Sequence, residues 1–197
     1  MRSLTRNLSA TVLAMAALAA GASAQAQSSK YALNAPGASY VGVNVGKSDF
    51  SVGNGNGLFS SDNKDTAYGI NAGSYINNNL GMELGFTDFG KINRAGGTTK
   101  AQGFNLSMVG RLPLSPQFNL LGKLGATYGR TDVSASPLSG VASGKETGFG
   151  VSYGLGAEYA FNPKMSAVLQ YDAHDMKFVG TGNDRVSATT VGLRYKF

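Results

Sequence analysis

The sequence predicts an all-β protein, an eight-stranded antiparallel up-and-down transmembrane β-barrel. Three observations lead there. Apolar and polar residues alternate over eight stretches of about ten residues, the length at which a tilted strand crosses a bilayer. The connections between the stretches alternate long and short, as in an antiparallel meander. The chain also closes on Thr190-Val191-Gly192-Leu193-Arg194-Tyr195-Lys196-Phe197, where Val191, Leu193, Tyr195 and Phe197 share one face. A strand ending on an unshielded aromatic suits lipid better than water.

Ahead of the first strand, residues 1–24 have a basic start (Arg2, Arg6) and an alanine-rich apolar run from about Leu8 to Ala20. The small residues Ala22-Ser23-Ala24 follow, with Ala24-Gln25-Ala26 as a second cleavage site. This is the layout of a Sec signal peptide, and its apolar run is short for the ~20 residues of a spanning helix. Of 197 residues, 24 or 26 come off, leaving 173 or 171, enough for one domain. Residues 25–38 read as a polar tail and 39–197 as the barrel. Cysteine is absent, so disulfides cannot supply rigidity to an exported chain. The formal charge of +6 falls to +4 once Arg2 and Arg6 are removed. That excess is spread along the chain and gives no reason to expect nucleic acid.

The strands follow in order. Tyr40–Lys47 sets Val41, Val43 and Val45 against Gly42, Asn44 and Gly46. A Gly/Asn/Ser/Asp-rich loop spans 48–64. Thr66–Ile76 alternates around Tyr68, Ile70 and Ala72, turns at Asn77-Asn78-Asn79, and returns as Leu80–Phe89 through Met82, Leu84 and Phe86. A second long loop is expected over 90–101. Gln102–Leu112 and Phe118–Arg130 flank a short turn at 113–117, whose two prolines oppose a continuing strand. A third loop is expected over 131–146. Thr147–Ala160 has the cleanest alternation, Phe149, Val151, Tyr153, Leu155, Ala157 and Tyr159 opposing Gly150, Ser152, Gly154, Gly156 and Glu158. A turn at 161–164, the strand Met165–Ala173, a polar loop near 175–184 and Arg185–Phe197 complete the chain.

Alternation alone does not say which face points inward. Glycines 81, 85, 150, 154, 156 and 192 crowd the polar face, which suits a cramped lumen. On the apolar face, Phe86, Phe104, Tyr128 and Phe149 gather toward the long-loop end, and Phe118, Tyr159, Tyr195 and Phe197 toward the other, as two interfacial girdles. The apolar face therefore meets lipid. Tyr40 and Tyr75 fall on the polar parity and belong inside or at the rim. The lumen parity also carries Glu83, Arg111, Lys123, Glu158, Gln170, Asp172, Arg194 and Lys196, several near the short-turn end, where opposite charges can meet; burial requires such pairing.

The segment Gly81-Met82-Glu83-Leu84-Gly85-Phe86-Thr87-Asp88-Phe89-Gly90 resembles the third-strand pattern of the OmpA-like and OmpX-like small outer-membrane barrels. Residues 190–197 resemble their C-terminal assembly signal, with Tyr195 and Phe197 as the aromatic pair read by the barrel-assembly machinery. The likeness covers the chain from about Ser39, with two departures: tryptophan is absent from the girdles, and no wall-binding domain follows Phe197. A wall-tethering role is therefore not implied. The resemblance implies an interior salt-bridge network acting as plug or gate, in a monomer of the Gram-negative outer membrane.

Function is expected to be non-enzymatic: membrane integrity, or adhesion and surface contact through the long loops. The alternatives are a narrow gated pore and, third, a lipid-modifying enzyme. Lys91, Arg94 and Lys100 lie close together in the second loop with no acid between them and are candidates for contact with lipopolysaccharide phosphates. His174, the only histidine, stands beside Asp172 and Asp175 without an identifiable nucleophile and reads as an ordinary polar residue near a loop. Gly90–Gly97 lacks the Lys-Ser/Thr of a phosphate loop, and loop one lacks calcium-loop spacing. No catalytic residue, metal or cofactor is expected, and the loops' ligand is not legible from loop sequence.

Overall fold

Residues that alternate with period two can satisfy two environments at once only if neighbouring strands hold them in register, and hydrogen bonding in lipid requires that no strand be left with an open edge. The computed structural model, which describes residues 37–53, 57–180 and 182–197, meets both conditions. The expected signal peptide and most of the N-terminal tail lie outside the described residues. Eight strands follow in sequence: β1 (Ser39–Ser51), β2 (Lys64–Tyr75), β3 (Leu80–Arg94), β4 (Gly97–Pro113), β5 (Phe118–Ser134), β6 (Gly144–Ala160), β7 (Met165–Phe178) and β8 (Gly182–Lys196). Each pairs antiparallel with the next, and β8 pairs with β1 from Tyr40↔Lys196 to Ser51↔Arg185, closing the barrel.

The three short connections share one device. Asn77 Oδ1 accepts the backbone N–H groups of Asn79 and Leu80 at 2.9 and 2.8 Å. Asn162 Oδ1 does the same for Lys164 and Met165 at 2.9 Å each. Ser115 Oγ accepts from the N–H of Phe118 at 3.0 Å. A side-chain acceptor at the start of each turn replaces the lost ladder bonds, which is why Asn and Ser stand there.

At the other end the structure departs from the expected loops. The strands run to 17 residues rather than about ten. Residues 90–101 form a hairpin in which β3 and β4 continue to Arg94 and Gly97 around Ala95 and Gly96, both with positive φ (52° and 69°). Two residues with positive φ match the twist of the flanking strands. Likewise β7 and β8 stay paired out to Phe178↔Gly182, and the third loop shrinks to 135–143 around a 3-10 turn, Pro137–Ser139.

The reason lies in the side chains. Within the apolar band the outward residues are hydrophobic and exposed on the protein surface, Leu155 at 73% and Val43 at 59% for example. Beyond it the same outward positions become polar: Val43 and Val45 are followed by Lys47, Asp49 and Ser51 on β1. The inward positions change the opposite way, from Gly42, Asn44, Gly46 and Ser48 to Phe50. Phe50, Phe89, Ile92, Val133, Met176, Phe178 and Val186 pack with Ala67, Ala101 and Ala188 into a buried apolar cluster inside the outer end of the barrel. One part of each strand is solvated by lipid and the other by water, and the apolar face switches sides between them.

On β3 a bulge adjusts the facing. The β3–β4 register runs to Asp88↔Gln102 and resumes at Lys91↔Lys100, so that Phe89 and Gly90 stand against Ala101 alone. The extra residue places Phe89 and Ile92, three apart, both inside. Gly90 takes φ 80° at this point. Its N–H donates to Asp88 Oδ1 at 2.9 Å, and the next N–H, of Lys91, donates to Asp65 Oδ2 at 2.6 Å.

Candidate functional site

The barrel offers two places where side chains converge, its lumen and the collar just beyond the apolar band. In the lumen, toward the short-turn end, Glu83 on β3 is fully enclosed. Its Oε1 accepts from Lys123 Nζ at 2.6 Å, and its Oε2 accepts from Arg194 Nη2 at 2.8 Å and Tyr40 OH at 2.6 Å. Lys123 also lies 3.7 Å from Asp172. A second group forms around Glu158, which accepts from Ser166 Oγ at 2.6 Å and Asn119 Nδ2 at 3.2 Å and pairs with Lys196 at 2.9 Å. The guanidinium of Arg194 lies 4.4 Å above the Tyr40 ring.

Six of the seven charges singled out in the sequence therefore meet in ion pairs. Arg111 does not. It is buried, lies 3.8 Å over the Tyr75 ring, and donates through Nη2 and Nε to the Asn78 carbonyl at 2.8 and 3.0 Å. A backbone carbonyl and an aromatic face take the place of a carboxylate. Tyr40 and Tyr75, on the polar parity, both point inward, 2% and 1% exposed. Glycines make room for these large side chains: a Cβ on Gly73 would lie 2.5 Å from the Tyr40 ring.

His174 also differs from its expected place near a loop. It is buried in the lumen, with Nδ1 2.7 Å from Thr127 Oγ1 and its ring 5.1 Å from that of Phe89. It forms the polar floor of the apolar cluster. The cluster itself was missed in the sequence; the break in alternation at Phe89-Gly90-Lys91-Ile92 was its available signal.

At the collar, outward-facing Lys91 and Lys100 are exposed and stand directly opposite each other on β3 and β4. Arg94, grouped with them in sequence, turns inward after the bulge. It is 1% exposed, and its Nε donates to Thr99 Oγ1 at 2.8 Å while Nη1 donates to the Gly53 carbonyl. It ties the first loop to the hairpin and is not presented to lipid headgroups. Arg130 on β5, absent from the sequence candidates, is the outward cation nearest that pair in register. Below the collar runs an unbroken aromatic row, Phe86↔Phe104↔Tyr128↔Phe149. Ring centroids are 4.8 Å apart for Phe86–Phe104 and 5.0 Å for Tyr128–Phe149. At the opposite rim Tyr159 meets Phe161 and Tyr195 meets Phe197.

Known proteins share this architecture. Neisserial surface protein A is similar with a TM-score of 0.64 and 22% identity, covering 81% of this chain and 99% of that one. Ail, the attachment invasion locus protein of Yersinia pestis, solved in complex with the heparin analogue sucrose octasulfate, has a TM-score of 0.55 and 16% identity over 81% of this chain and 98% of that one. Among curated relatives, outer membrane protein A of Salmonella typhi is 27% identical over 172 residues, 80% of this chain and 48% of that protein. The chain thus spans about half the length of the curated relatives it matches. The description "Outer membrane protein beta-barrel domain" fits residues 10–197. With a closed antiparallel barrel, a lipid-type outer face and a family match along nearly its full length, the chain belongs to the outer membrane protein β-barrel domain family and is an integral protein of the bacterial outer membrane.

Proposed function

We propose that the protein is a sealed barrel with a structural and surface-contact role rather than a conduit. The observation that carries this is the filling of the lumen by two different layers in series. Toward the periplasm, Glu83, Lys123, Arg194, Glu158 and Lys196 interlock; toward the outside, Phe50, Phe89, Ile92 and Phe178 close the bore with apolar groups. An ion crossing must part matched charges that have few other partners, and then traverse a stretch with nothing to replace its hydration. The gated-pore alternative would need both layers to open.

Surface contact is supported by the collar. Lys91 and Lys100 are proposed to meet lipopolysaccharide phosphates, and the binding of a polysulfated sugar by Ail is consistent with an anion-contacting exterior on a barrel of this shape. The ends of the barrel beyond the collar are proposed to present the surface for a partner outside the cell. On β8, exposed Tyr195 and the terminal Phe197 are proposed to serve the barrel-assembly machinery during insertion, after which Phe197 and Ser39 exchange backbone hydrogen bonds at 2.9 and 3.3 Å. The test is a planar-bilayer recording of the purified, refolded protein beside an open porin. No discrete currents are expected; reproducible unitary openings would overturn the sealed reading.

A further inference from the structure

We infer that the outer face of β3–β6 is a binding surface for a bisphosphorylated glycolipid of the outer leaflet, with Lys91, Lys100 and Arg130 holding phosphate and the aromatic row beneath them packing on acyl chains. The inference rests on the surface-contact reading above and locates it on one face.

Its first support is an imbalance of charge. Elsewhere around the collar, among the described residues, three of four outward cations are engaged: Arg185 with Asp175 at 3.4 Å, Lys64 with Asp49 at 3.8 Å, and Lys47 with Thr66 Oγ1 at 3.2 Å; the fourth, Lys177 on β7, lays its stem over Gly148. On β3–β6 it is the acids that are engaged. Asp88 accepts from Gln102 Nε2 at 2.8 Å and from the Gly90 N–H at 2.9 Å, and Asp132 pairs with Lys145 at 3.2 Å. Lys91, Lys100 and Arg130 have no carboxylate within salt-bridge distance among the described residues. Directly opposed like charges destabilise a sheet unless an anion sits between them, and Lys91 and Lys100 are such a pair; Asp132, opposite Lys100 on its other side, is taken by Lys145. Arg130, opposite Gln102, is diagonal to Lys100, a separation of about 7–8 Å at the backbone.

The second support is depth. Arg130 is the next outward residue above Tyr128, and Lys91 and Lys100 stand one outward pair higher, beyond Asp88↔Gln102, over the row Phe86, Phe104, Tyr128 and Phe149 that marks the outer edge of the apolar band on the same strands. Phosphates at the height of the cations place their chains against these rings. A freely soluble anion would have no use for that row. A glycolipid uses both.

The full chain is refolded into phosphatidylcholine vesicles containing increasing bisphosphorylated lipid A, and its unfolding temperature is read from the heat-dependent loss of β-sheet signal. Lipid A should raise that temperature; lipid A stripped of phosphate should not, and phosphatidylglycerol at equal charge should do so less. The variant K91Q/K100Q/R130Q should need roughly tenfold more lipid A for the half-maximal rise, whereas K47Q/R185Q on the opposite side should titrate like wild type. Heat-dependent gel mobility guards against simple misfolding: in phosphatidylcholine the triple variant, which only removes the opposed like charges, should unfold no earlier than wild type while losing response to lipid A. An unaltered titration in the triple variant, or equal potency of phosphatidylglycerol, would overturn this face as the site. No response even of the wild type would remove the lipopolysaccharide reading itself, and neither result touches the sealed lumen, which the current recording decides.

Discussion

Glu83 receives donors from three other strands, Tyr40 of β1, Lys123 of β5 and Arg194 of β8. Neutralising it leaves Lys123 with Asp172 at 3.7 Å and leaves Arg194 buried over the Tyr40 ring, its one ion pair among the described residues lost. Breaking a buried pair by removing one partner costs about 3–5 kcal/mol. Glu83→Gln, which keeps the shape, should therefore lower stability by that amount in urea titrations of vesicle-embedded protein. Arg111→Ala loses one aromatic contact and two bonds to the Asn78 carbonyl, and should cost roughly 1–3 kcal/mol. Asp49→Asn, at the exposed 3.8 Å pair with Lys64, should change stability by less than about 1 kcal/mol. The ranking is the test: a Glu83 variant no weaker than the Asp49 variant would mean that the lumen pairs are solvated and the enclosure argued above is wrong.

The β3 bulge shows how one element is aimed by two carboxylates on different strands. Asp65 of β2 reaches across to the Lys91 N–H, and that bond is the main reason its carboxyl titrates below the ordinary Asp value. It lies beyond the apolar band, where water reaches it. With the folded value depressed, the tie contributes above the unfolded pKa and fades as pH falls through the folded one. The protection factors of the Lys91 and Ile92 amides should accordingly fall in that acidic window in the wild type, and Asp65→Asn should remove that pH dependence. Gly90→Val attacks the same element by another route, placing a β-branched residue at φ 80° against the Asp65 carboxylate. It should cost about 1–3 kcal/mol and loosen the hairpin beyond Lys91 while leaving the Leu80–Thr87 ladder protected. Uniform protection along β3 in that variant would show that the bulge does not set the register.

At the scale of the whole molecule, the barrel was legible wherever a strand kept one phase against lipid. Val41-Val43-Val45 and the run from Phe149 to Tyr159 name their faces directly, and the inward charges follow from parity. The outer ends were not legible because the solvent changes partway along the strand. Ser48-Asp49-Phe50 and Thr131-Asp132-Val133 read as loop, although Phe50 and Val133 are 0% and 2% exposed inside the barrel. Arg94 was misplaced because the one-residue bulge reversed its side, and His174 because the lumen it enters lies beneath a cluster unseen in sequence. The same change of solvent bears on the seal. Leu84→Arg, in the band, should cost about 2–4 kcal/mol in lipid and impair insertion, whereas changes to the apolar cluster should leave insertion intact. Barriers in series act independently, so removing either layer leaves the other in place. Phe50→Ala/Phe178→Ala should stay silent in planar bilayers because the Glu83 and Glu158 groups still close the bore. Glu83→Gln should stay silent because the apolar cluster strips hydration from any ion. Only the three substitutions together with Glu158→Gln, in protein shown to be folded by its heat-dependent gel mobility, should give unitary currents. Openings from Glu83→Gln alone would show that the apolar cluster is no barrier and that the charged layer is the whole of the seal.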